Sequence, residues 1–119
     1  MSLQTIAKQF VDMCNQGKNF DVMRSMYAPN IVSVENDGKE TRGKQPVIEK
    51  SEKWAAVNTI QSEKVDGPFF NGPDKFAVHY VFEVTPKETG KRTTLEEVGI
   101  YTVENDQIAR EQFFYSYKR

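Results

Sequence analysis

The chain has 119 residues, 16 basic and 17 acidic side chains, a formal net charge of -1 and 38% hydrophobic residues. This length and composition predict one globular domain over residues 1–119 and exclude a disordered chain. With no basic excess to neutralise phosphates, we expect no nucleic-acid partner. The single cysteine cannot form an internal disulfide, and no apolar run approaches the roughly 18 residues of a membrane span. We therefore expect a cytoplasmic protein with no membrane contact.

Helical spacing of apolar residues occurs three times in the first half of the chain. A helix is predicted from Ser2, which can cap it, to Gly17, and a short second helix follows that Pro29 stops. Pro46 fits the first turn of a third helix that ends near Asn58. The charged face of this third helix is expected in solvent and carries Glu49, Lys50, Glu52 and Lys53.

The remaining elements alternate with a period of two, as half-buried strands do. A short hairpin is predicted around the turn residues 36–38. Four longer strands are predicted over residues 59–70, 75–85, 92–103 and 107–117. Helices followed by an antiparallel meander predict an α+β fold with the helices on one face of a curved sheet.

Turn positions predict which residues face each other in the last three strands. A two-residue turn at positions 105 and 106 pairs Tyr101 with Arg110, and the preceding loop pairs Tyr80 with Glu97. A one-residue bulge would shift this register and exchange the two faces of the sheet. Without a bulge, the inner face carries Phe76, Val78, Tyr80, Phe82, Leu95, Glu97, Gly99, Tyr101, Arg110, Gln112 and Phe114.

The opposite face of the predicted sheet is also apolar. A sheet that is covered by helices on one side usually has a hydrated second side, so these residues need another partner. We expect a homodimer in which a second copy covers this face across a two-fold axis. The predicted dimer residues are Val81, Val98, Ile100, Phe113 and Tyr115.

Three segments carry a family resemblance: MRSMYAPNIVSVEN, IEKSEKW and EEVGIYTVENDQIAREQFFY. Over essentially the whole chain they resemble the nuclear transport factor 2-like superfamily, and within it the SnoaL-like proteins of unassigned function. The resemblance implies a cone-shaped half-barrel sheet packed on three N-terminal helices. It also implies a pocket between the sheet and the helices, and a homodimer through the open sheet face.

Function varies within this superfamily, which includes steroid isomerases, polyketide cyclases, dehydratases and binding modules. In the ketosteroid isomerases the general base, the tyrosine and the second acid fall on Asn36, Phe10 and Gly99 of this chain. Because none of the three residue types is present, that mechanism is not expected here. The resemblance therefore leaves open whether the protein is an enzyme.

Glu97 is the main candidate for a catalytic residue. A carboxylate on the inner face is suited to act as a general base or acid, with the neighbouring Tyr80 or with Tyr27 as a catalytic hydrogen-bond donor. The alternative for Glu97 is a structural ion pair with Arg110. His79 is the runner-up, since it faces outward on this register and inward after a shift of one residue. Gly99 either lets a ligand approach the sheet or marks a bend in the strand.

The predicted pocket has no metal or cofactor. One histidine and one cysteine without paired spacing do not form a metal site, and the glycines form no phosphate-binding loop. The leading hypothesis is a SnoaL-like protein that binds a small, largely apolar molecule. The alternatives are cofactor-free acid–base catalysis on a carbonyl compound, by an isomerase, cyclase or dehydratase, and a dimer whose pocket its own side chains fill. The predicted pocket residues are Phe10, Tyr27, Trp54, Phe82, Gly99, Tyr101, Arg110, Gln112 and Phe114.

Overall fold

The computed structural model describes residues 2–116 as three helices and a six-stranded sheet. The predicted end of the last strand at Tyr117 lies outside the described residues, and the predicted α+β class is confirmed. The elements are α1 (Leu3–Asn15), α2 (Asn19–Met26), β1 (Tyr27–Val34), β2 (Glu40–Arg42), α3 (Lys44–Val57), β3 (Asn58–Asn71), β4 (Lys75–Pro86), β5 (Thr93–Glu104) and β6 (Gln107–Phe114).

Local sequence determines where the helices begin and end. The Ser2 hydroxyl accepts a hydrogen bond from the backbone N–H of Thr5 at 3.1 Å, and Gly17 adopts a φ of 75° after α1, as the sequence predicts. The helix α2 ends before Pro29. Pro46 lies in the first turn of α3, where the backbone N–H that proline lacks would have no acceptor within the helix. None of the helices within residues 2–116 is long and apolar enough to cross a membrane.

The sheet has the strand order β2-β1-β6-β5-β4-β3 and is curved but not closed. Neighbouring strands are antiparallel except for β1 and β6, which are parallel. The sheet is therefore mixed, whereas the sequence predicted an antiparallel one. The difference arises from β1, which lies in the helical half of the chain and pairs in parallel with β6, the last strand of the meander.

The pairing of β4 with β5 follows the predicted register. Tyr80 lies opposite Glu97, and the same register continues along both strands. At the other turn, Asn105 and Asp106 have positive φ angles of 51° and 64°, as expected for a two-residue hairpin. Turn chemistry was thus sufficient to predict these connections.

The β5–β6 hairpin contains a one-residue bulge at Ala109. Along β6 the partners of β5 step from Arg110 to Ile108, which leaves Ala109 without a partner residue. Tyr101 therefore lies opposite Glu111 rather than opposite Arg110. Since side chains alternate between the faces of a strand, the extra residue exchanges the two faces beyond it.

The bulge makes five predicted positions wrong. Arg110, Gln112 and Phe114 lie on the outer face of the sheet instead of facing the helices. Phe113, predicted on the outer face, packs against the core. The hydroxyl of Tyr115, also predicted there, donates a hydrogen bond to Glu35, which lines a cavity between the helices and the sheet. A period-two pattern does not reveal an inserted residue, so all five errors have one cause.

The core lies between the helices and the inner face of the sheet. Three aromatic rings occupy its centre: the ring centroid of Phe10 is 5.4 Å from that of Phe76 and 4.5 Å from that of Tyr101. Such tilted and edge-on contacts are the favoured geometry of aromatic pairs. This cluster fixes α1 over strands β4 and β5.

The two edges of the sheet are the short strand β2 and the long strand β3. Along β3, the side chain of Asn15 from α1 binds both backbone groups of Val65. Asn15 Nδ2 donates to the Val65 carbonyl at 3.0 Å, and the Val65 N–H donates to Asn15 Oδ1 at 2.9 Å. These two bonds tie the end of α1 to the edge strand.

Candidate functional site

A cavity of about 560 Å³ lies between the helices and the inner face of the sheet. This volume is within the usual range of small-molecule sites. Residues from all three helices and from β3, β4, β5 and β6 line it. The side chains of the described residues therefore leave space between the helices and the sheet.

Several of the predicted site residues meet at this cavity. The ring centroid of Trp54 is 6.1 Å from that of Phe82, and Phe82 stacks on Tyr80 with centroids 5.4 Å apart. Together they form an aromatic wall that joins α3 to β4. The predicted site residues in the cavity lining are Phe10, Tyr27, Trp54, Tyr80, Phe82, Glu97 and Tyr101.

Gly99 lies beneath two tyrosine side chains of the inner face. A β-carbon at this position would be 2.9 Å from Tyr101 Cε2 and 3.1 Å from Tyr80 Cε2. The missing side chain therefore makes room for the two rings, a role that the sequence analysis did not consider. The hydroxyls of Tyr80 and Tyr101 are hydrogen-bonded to each other, and burial raises the pKa of both well above the ordinary tyrosine value. Both remain neutral hydroxyl groups near neutral pH.

Glu111 is a functional candidate that the sequence pattern did not indicate. Its side chain lines the cavity although the residue is only 2% exposed. The hydroxyl of Tyr27 donates a hydrogen bond to Glu111 Oε1, and the hydroxyl of Ser33 donates to the same carboxyl group. Burial raises the pKa of Glu111, while these two hydroxyls and the charge of Lys50 act in the opposite direction. A carboxyl group with a raised pKa in a cavity wall is suited to proton transfer.

The sequence contains no signal that selects Glu111 over its neighbours. One alternation of β6 directs Gln112 and Phe114 inward, and the other directs Glu111 and Phe113 inward. Each choice supplies one polar and one aromatic residue. Only the bulge at Ala109 decides between them.

A polar cluster connects Glu111 with solvent-accessible groups. Lys50 Nζ donates to Ser33 Oγ at 2.8 Å and to Glu35 Oε1 at 2.9 Å, and the Tyr115 hydroxyl donates to Glu35 Oε2 at 2.8 Å. The side chains of Lys50 and Glu35 are 31% and 18% exposed. The prediction that Lys50 belongs to a solvated helix face is wrong, because its ammonium group turns toward the cavity wall.

A second acidic site, formed by Glu63 and Glu97, lines the same cavity. Asn19 Nδ2 donates to Glu63 Oε2 at 2.7 Å. Burial raises the pKa of Glu63 to about 7, against the effect of the Asn19 hydrogen bond and with a further contribution from the charge of Glu97. The predicted ion pair between Glu97 and Arg110 is wrong, because Arg110 lies on the opposite face of the sheet.

The histidine and the cysteine differ in their position relative to the cavity. His79 is on the outer face, with its side chain 38% exposed and Nδ1 4.0 Å from Asp66 Oδ2. Cys14 does line the cavity, but burial raises its pKa well above the ordinary thiol value, so the thiol is a poor nucleophile. Among residues 2–116, no three His, Cys, Asp or Glu side chains are grouped as metal ligands.

The sequence and the fold both have counterparts among known proteins. A family model described as a SnoaL-like domain matches residues 1–115. The chain belongs to the SnoaL-like domain family. The resemblance found in the sequence and the nuclear transport factor 2-like fold are thereby confirmed.

Solved structures extend this comparison. A protein from Mesorhizobium loti, described both as a candidate SnoaL-like polyketide cyclase and as a carbohydrate phosphatase, is 38% identical to this SnoaL-like chain. The match covers 97% of this chain and 100% of the M. loti protein, with a TM-score of 0.91. A candidate polyketide cyclase from Pseudomonas putida is 15% identical, with 98% and 92% covered and a TM-score of 0.77. A protein of unknown function with a cystatin-like fold from Xanthomonas campestris is 18% identical, with 98% and 92% covered and a TM-score of 0.77. The last two show the fold alone. No curated protein matches the chain.

Proposed function

We propose that this SnoaL-like protein binds a small, largely apolar molecule that carries a carbonyl or hydroxyl oxygen. The aromatic wall around Trp54 and Phe82 suits the apolar part of such a ligand. The observation that carries the proposal is the position of Glu111. A carboxyl group that is withdrawn from solvent, yet lines the cavity beside the Tyr27 hydroxyl, is suited to bind one oxygen of an otherwise apolar ligand.

Glu111 also favours a second candidate function, which is cofactor-free proton transfer on a carbonyl compound. In this reaction the ionised carboxylate of Glu111 takes a proton from the carbon beside the carbonyl. The electron pair of that C–H bond forms a carbon–carbon double bond, and the carbonyl oxygen becomes an enolate oxygen. The hydroxyl pair of Tyr80 and Tyr101 supplies a neutral hydrogen-bond donor for that oxygen, and Glu111 returns the proton to complete the reaction. Of the two names that the M. loti protein carries, polyketide cyclase agrees with this class of chemistry and carbohydrate phosphatase does not.

Binding can be tested with 2-naphthol, an apolar phenol that resembles the enol of the ketone 2-tetralone. Trp54 is the sole tryptophan and lines the cavity, so its fluorescence should change on titration. The neighbouring residues Ala55 and Ala56 offer a matched pair, because Ala55 lines the cavity and Ala56 is exposed. Ala55→Phe should weaken binding by about tenfold or more, a loss of roughly 1.4 kcal/mol, and Ala56→Phe should leave it unchanged. Equal affinity in the two variants would place the probe outside the cavity.

Proton transfer can be tested by the exchange of the α-hydrogens of 2-tetralone for deuterium in D₂O, followed by NMR. We expect the protein to accelerate the exchange, and Glu111→Gln to slow it by about 100-fold, the low end of general acid–base contributions. The rate should rise with pH as Glu111 ionises. The control is Glu83→Gln, which changes a carboxylate on the outer face. Undiminished exchange in Glu111→Gln would remove Glu111 from the reaction, and binding without exchange in the wild type would leave the binding function alone.

We further propose that two copies associate through the outer face of the sheet. Val98 and Phe114 lie side by side there and are 38% and 44% exposed. Lys64, Val81 and Glu96 form the adjacent cross-strand row. A two-fold axis parallel to the strands at Val81 brings Lys64 toward Glu96 of the partner subunit, which makes the face self-complementary in charge. In this proposal Phe114 replaces the predicted contacts Phe113 and Tyr115.

The dimer predicts a clear response to a charge on this face. Val98→Glu should convert a particle of twice the chain mass into a monomer in analytical ultracentrifugation. Val57, which is 59% exposed at the end of α3, provides the control, and Val57→Glu should leave the dimer intact. A wild-type protein that sediments as a monomer at micromolar concentration would contradict the proposal.

We also propose that the protein acts in the cytoplasm. Its one cysteine, Cys14, is a free and buried thiol. Free thiols are typical of proteins in reducing compartments. Fractionation of the native cells with an antibody to the protein tests this location, and recovery from an oxidising compartment would contradict it.

A further inference from the structure

We infer that Ser33 and Lys50 form a proton relay between the cavity carboxyl group of Glu111 and solvent. The purpose of such a relay rests on the proposed proton-transfer function, because a carboxyl group that exchanges protons with substrates must also return to its starting protonation state. The relay itself is a property of the protein without a ligand, and it can be tested in that state.

The strand pairing places Ser33 next to Glu111. β1 and β6 run parallel, and Ser33 is the residue opposite Glu111 in this register. Ser33 is completely buried, so its hydroxyl must find its partners within the protein. It accepts a hydrogen bond from Lys50 Nζ at 2.8 Å, which leaves its own hydroxyl proton to donate to the adjacent carboxyl group of Glu111. A hydroxyl that accepts one hydrogen bond and donates another can pass a proton along the chain.

The transfer is balanced in atoms and charge. The ammonium group of Lys50 gives one proton to Ser33 Oγ while the hydroxyl proton of Ser33 moves to the ionised carboxylate of Glu111. The products are a neutral amine, an unchanged serine and a protonated carboxyl group. Lys50 then takes a proton from water, to which its side chain is 31% exposed. The same steps in reverse remove a proton from Glu111.

Other groups around Glu111 do not offer an equivalent path. Tyr27, the second hydroxyl on the carboxyl group, is 2% exposed and lies in the cavity wall, so it does not connect Glu111 with the outer surface of the protein. Among the described residues around Glu111, Lys50 and Glu35 have side chains that reach solvent. The titratable groups whose charge or hydrogen bonding couples to Glu111 are Cys14, Tyr27, Glu35, Lys50, Tyr80 and Tyr101.

Glu35 is a positioning residue for this relay. Its Oε1 atom holds Lys50 Nζ at 2.9 Å, and its Oε2 atom accepts the Tyr115 hydroxyl at 2.8 Å. The carboxylate is thus fixed on both sides. This arrangement keeps the flexible lysine directed at Ser33 rather than free in solvent.

The experiment follows protonation of Glu111 directly in protein without ligand. Glutamate is labelled with ¹³C at Cδ, and the Glu111 signal is assigned by its loss in Glu111→Gln. In the wild type we expect one averaged signal that moves with pH, because the protonated and ionised forms exchange rapidly. In Ser33→Ala and in Lys50→Met the exchange should be about 100-fold slower, the low end of the contribution of a positioned proton-transfer group. Separate signals for the two forms should then appear.

Tyr27→Phe is the matched control. Like Ser33→Ala, it removes one hydroxyl donor from Glu111 and shifts the midpoint of its titration, but it leaves the path to Lys50 intact. We expect it to keep a single averaged signal, which distinguishes proton delivery from a mere change in pKa. Lys50 is partly exposed, so Lys50→Met carries the test if Ser33→Ala does not fold.

Three outcomes would overturn the relay. They are separate signals in the wild type, rapid exchange in either Ser33→Ala or Lys50→Met, and slowing in Tyr27→Phe equal to that in the other variants. The proposed function fails by different results, namely no binding of 2-naphthol or no exchange of 2-tetralone hydrogens. The experiments can therefore contradict the relay without contradicting the proposed function, and the reverse.

Discussion

Two carboxyl groups line one cavity, and their surroundings differ. Glu111, on the strand next to β1, is bonded to the hydroxyls of Tyr27 and Ser33 and lies near an ammonium group. Glu63, on the edge strand β3, accepts an amide hydrogen bond from Asn19 and experiences the negative charge of Glu97. The cavity therefore has a Glu111 site that connects to a cation and a Glu63 site that has an acidic neighbour.

This difference shows that burial alone does not set the chemistry of a cavity carboxyl group. Burial raises the pKa of both groups. At the Glu111 site, hydroxyl donors and Lys50 stabilise the ionised form, whereas at the Glu63 site the neighbouring Glu97 opposes it. The Glu111 site is equipped to gain and lose a proton through defined partners. The Glu63 site holds a carboxyl group that titrates at about pH 7.

The largest expected effect is a dependence of stability on pH through Glu63. Its pKa is about 7 in the folded protein against 4.5 as the reference for the unfolded chain, so the folded state holds the proton longer. The stabilisation is fully present below pH 4.5 and is lost as the pH rises to about 7, by about 3 kcal/mol in total. Urea unfolding at both pH values should show this loss in the wild type. Glu63→Gln should have a shallower pH dependence, and identical slopes would refute the assignment.

A smaller effect is expected when one hydrogen-bond donor is removed from each site. Tyr27→Phe leaves the fully buried carboxyl group of Glu111 with one donor fewer and should lower the free energy of unfolding by about 2 kcal/mol. Asn19→Ala at the more accessible Glu63 should cost less than about 1 kcal/mol. Urea denaturation at one pH measures both. The contrast between the sites would be broken if Asn19→Ala were the more damaging change.

A further effect, smaller than that of Glu63, concerns the tyrosine pair on the inner face. Gly99→Ala places a methyl group against Tyr101 and Tyr80 and should destabilise the protein by about 1 to 2 kcal/mol through overpacking. The tyrosine pair should move, and exchange of 2-tetralone hydrogens should slow with it. Adding Tyr101→Phe removes the hydroxyl oxygen 3.0 Å from the new methyl group and should recover part of the stability. No recovery would show that the contact with the hydroxyl of Tyr101 is not the source of the strain.

Local chemistry in the sequence was sufficient to predict much of the fold. The cap at Ser2, the turn at Asn105 and Asp106, and the alternation of β4 and β5 act between near neighbours in the chain, so a pattern can express them. The parallel pairing of β1 with β6 joins residues that are far apart in sequence. No local pattern in the sequence indicates it.

The candidate site was only partly predictable for the same reason. The aromatic wall around Trp54 followed from helical and strand spacing, because apolar residues mark the inner face wherever the register is regular. Glu111 required knowledge of the bulge at Ala109, and Lys50 required knowledge that Ser33 and Glu35 lie within its reach. Charged residues on a helix are usually solvated, so the pattern predicted the wrong environment for Lys50.

The side chain of Asn15 has a consequence for how the protein behaves in a crowded solution. An outermost strand offers rows of backbone donors and acceptors on which another extended chain can grow into a fibril. β3 has 14 residues, and Asn15 occupies both backbone groups of Val65 in its interior, as a neighbouring strand would. The helix thereby covers one position of this edge strand, and Asn15→Ala would free the backbone groups of Val65 to pair with another extended chain.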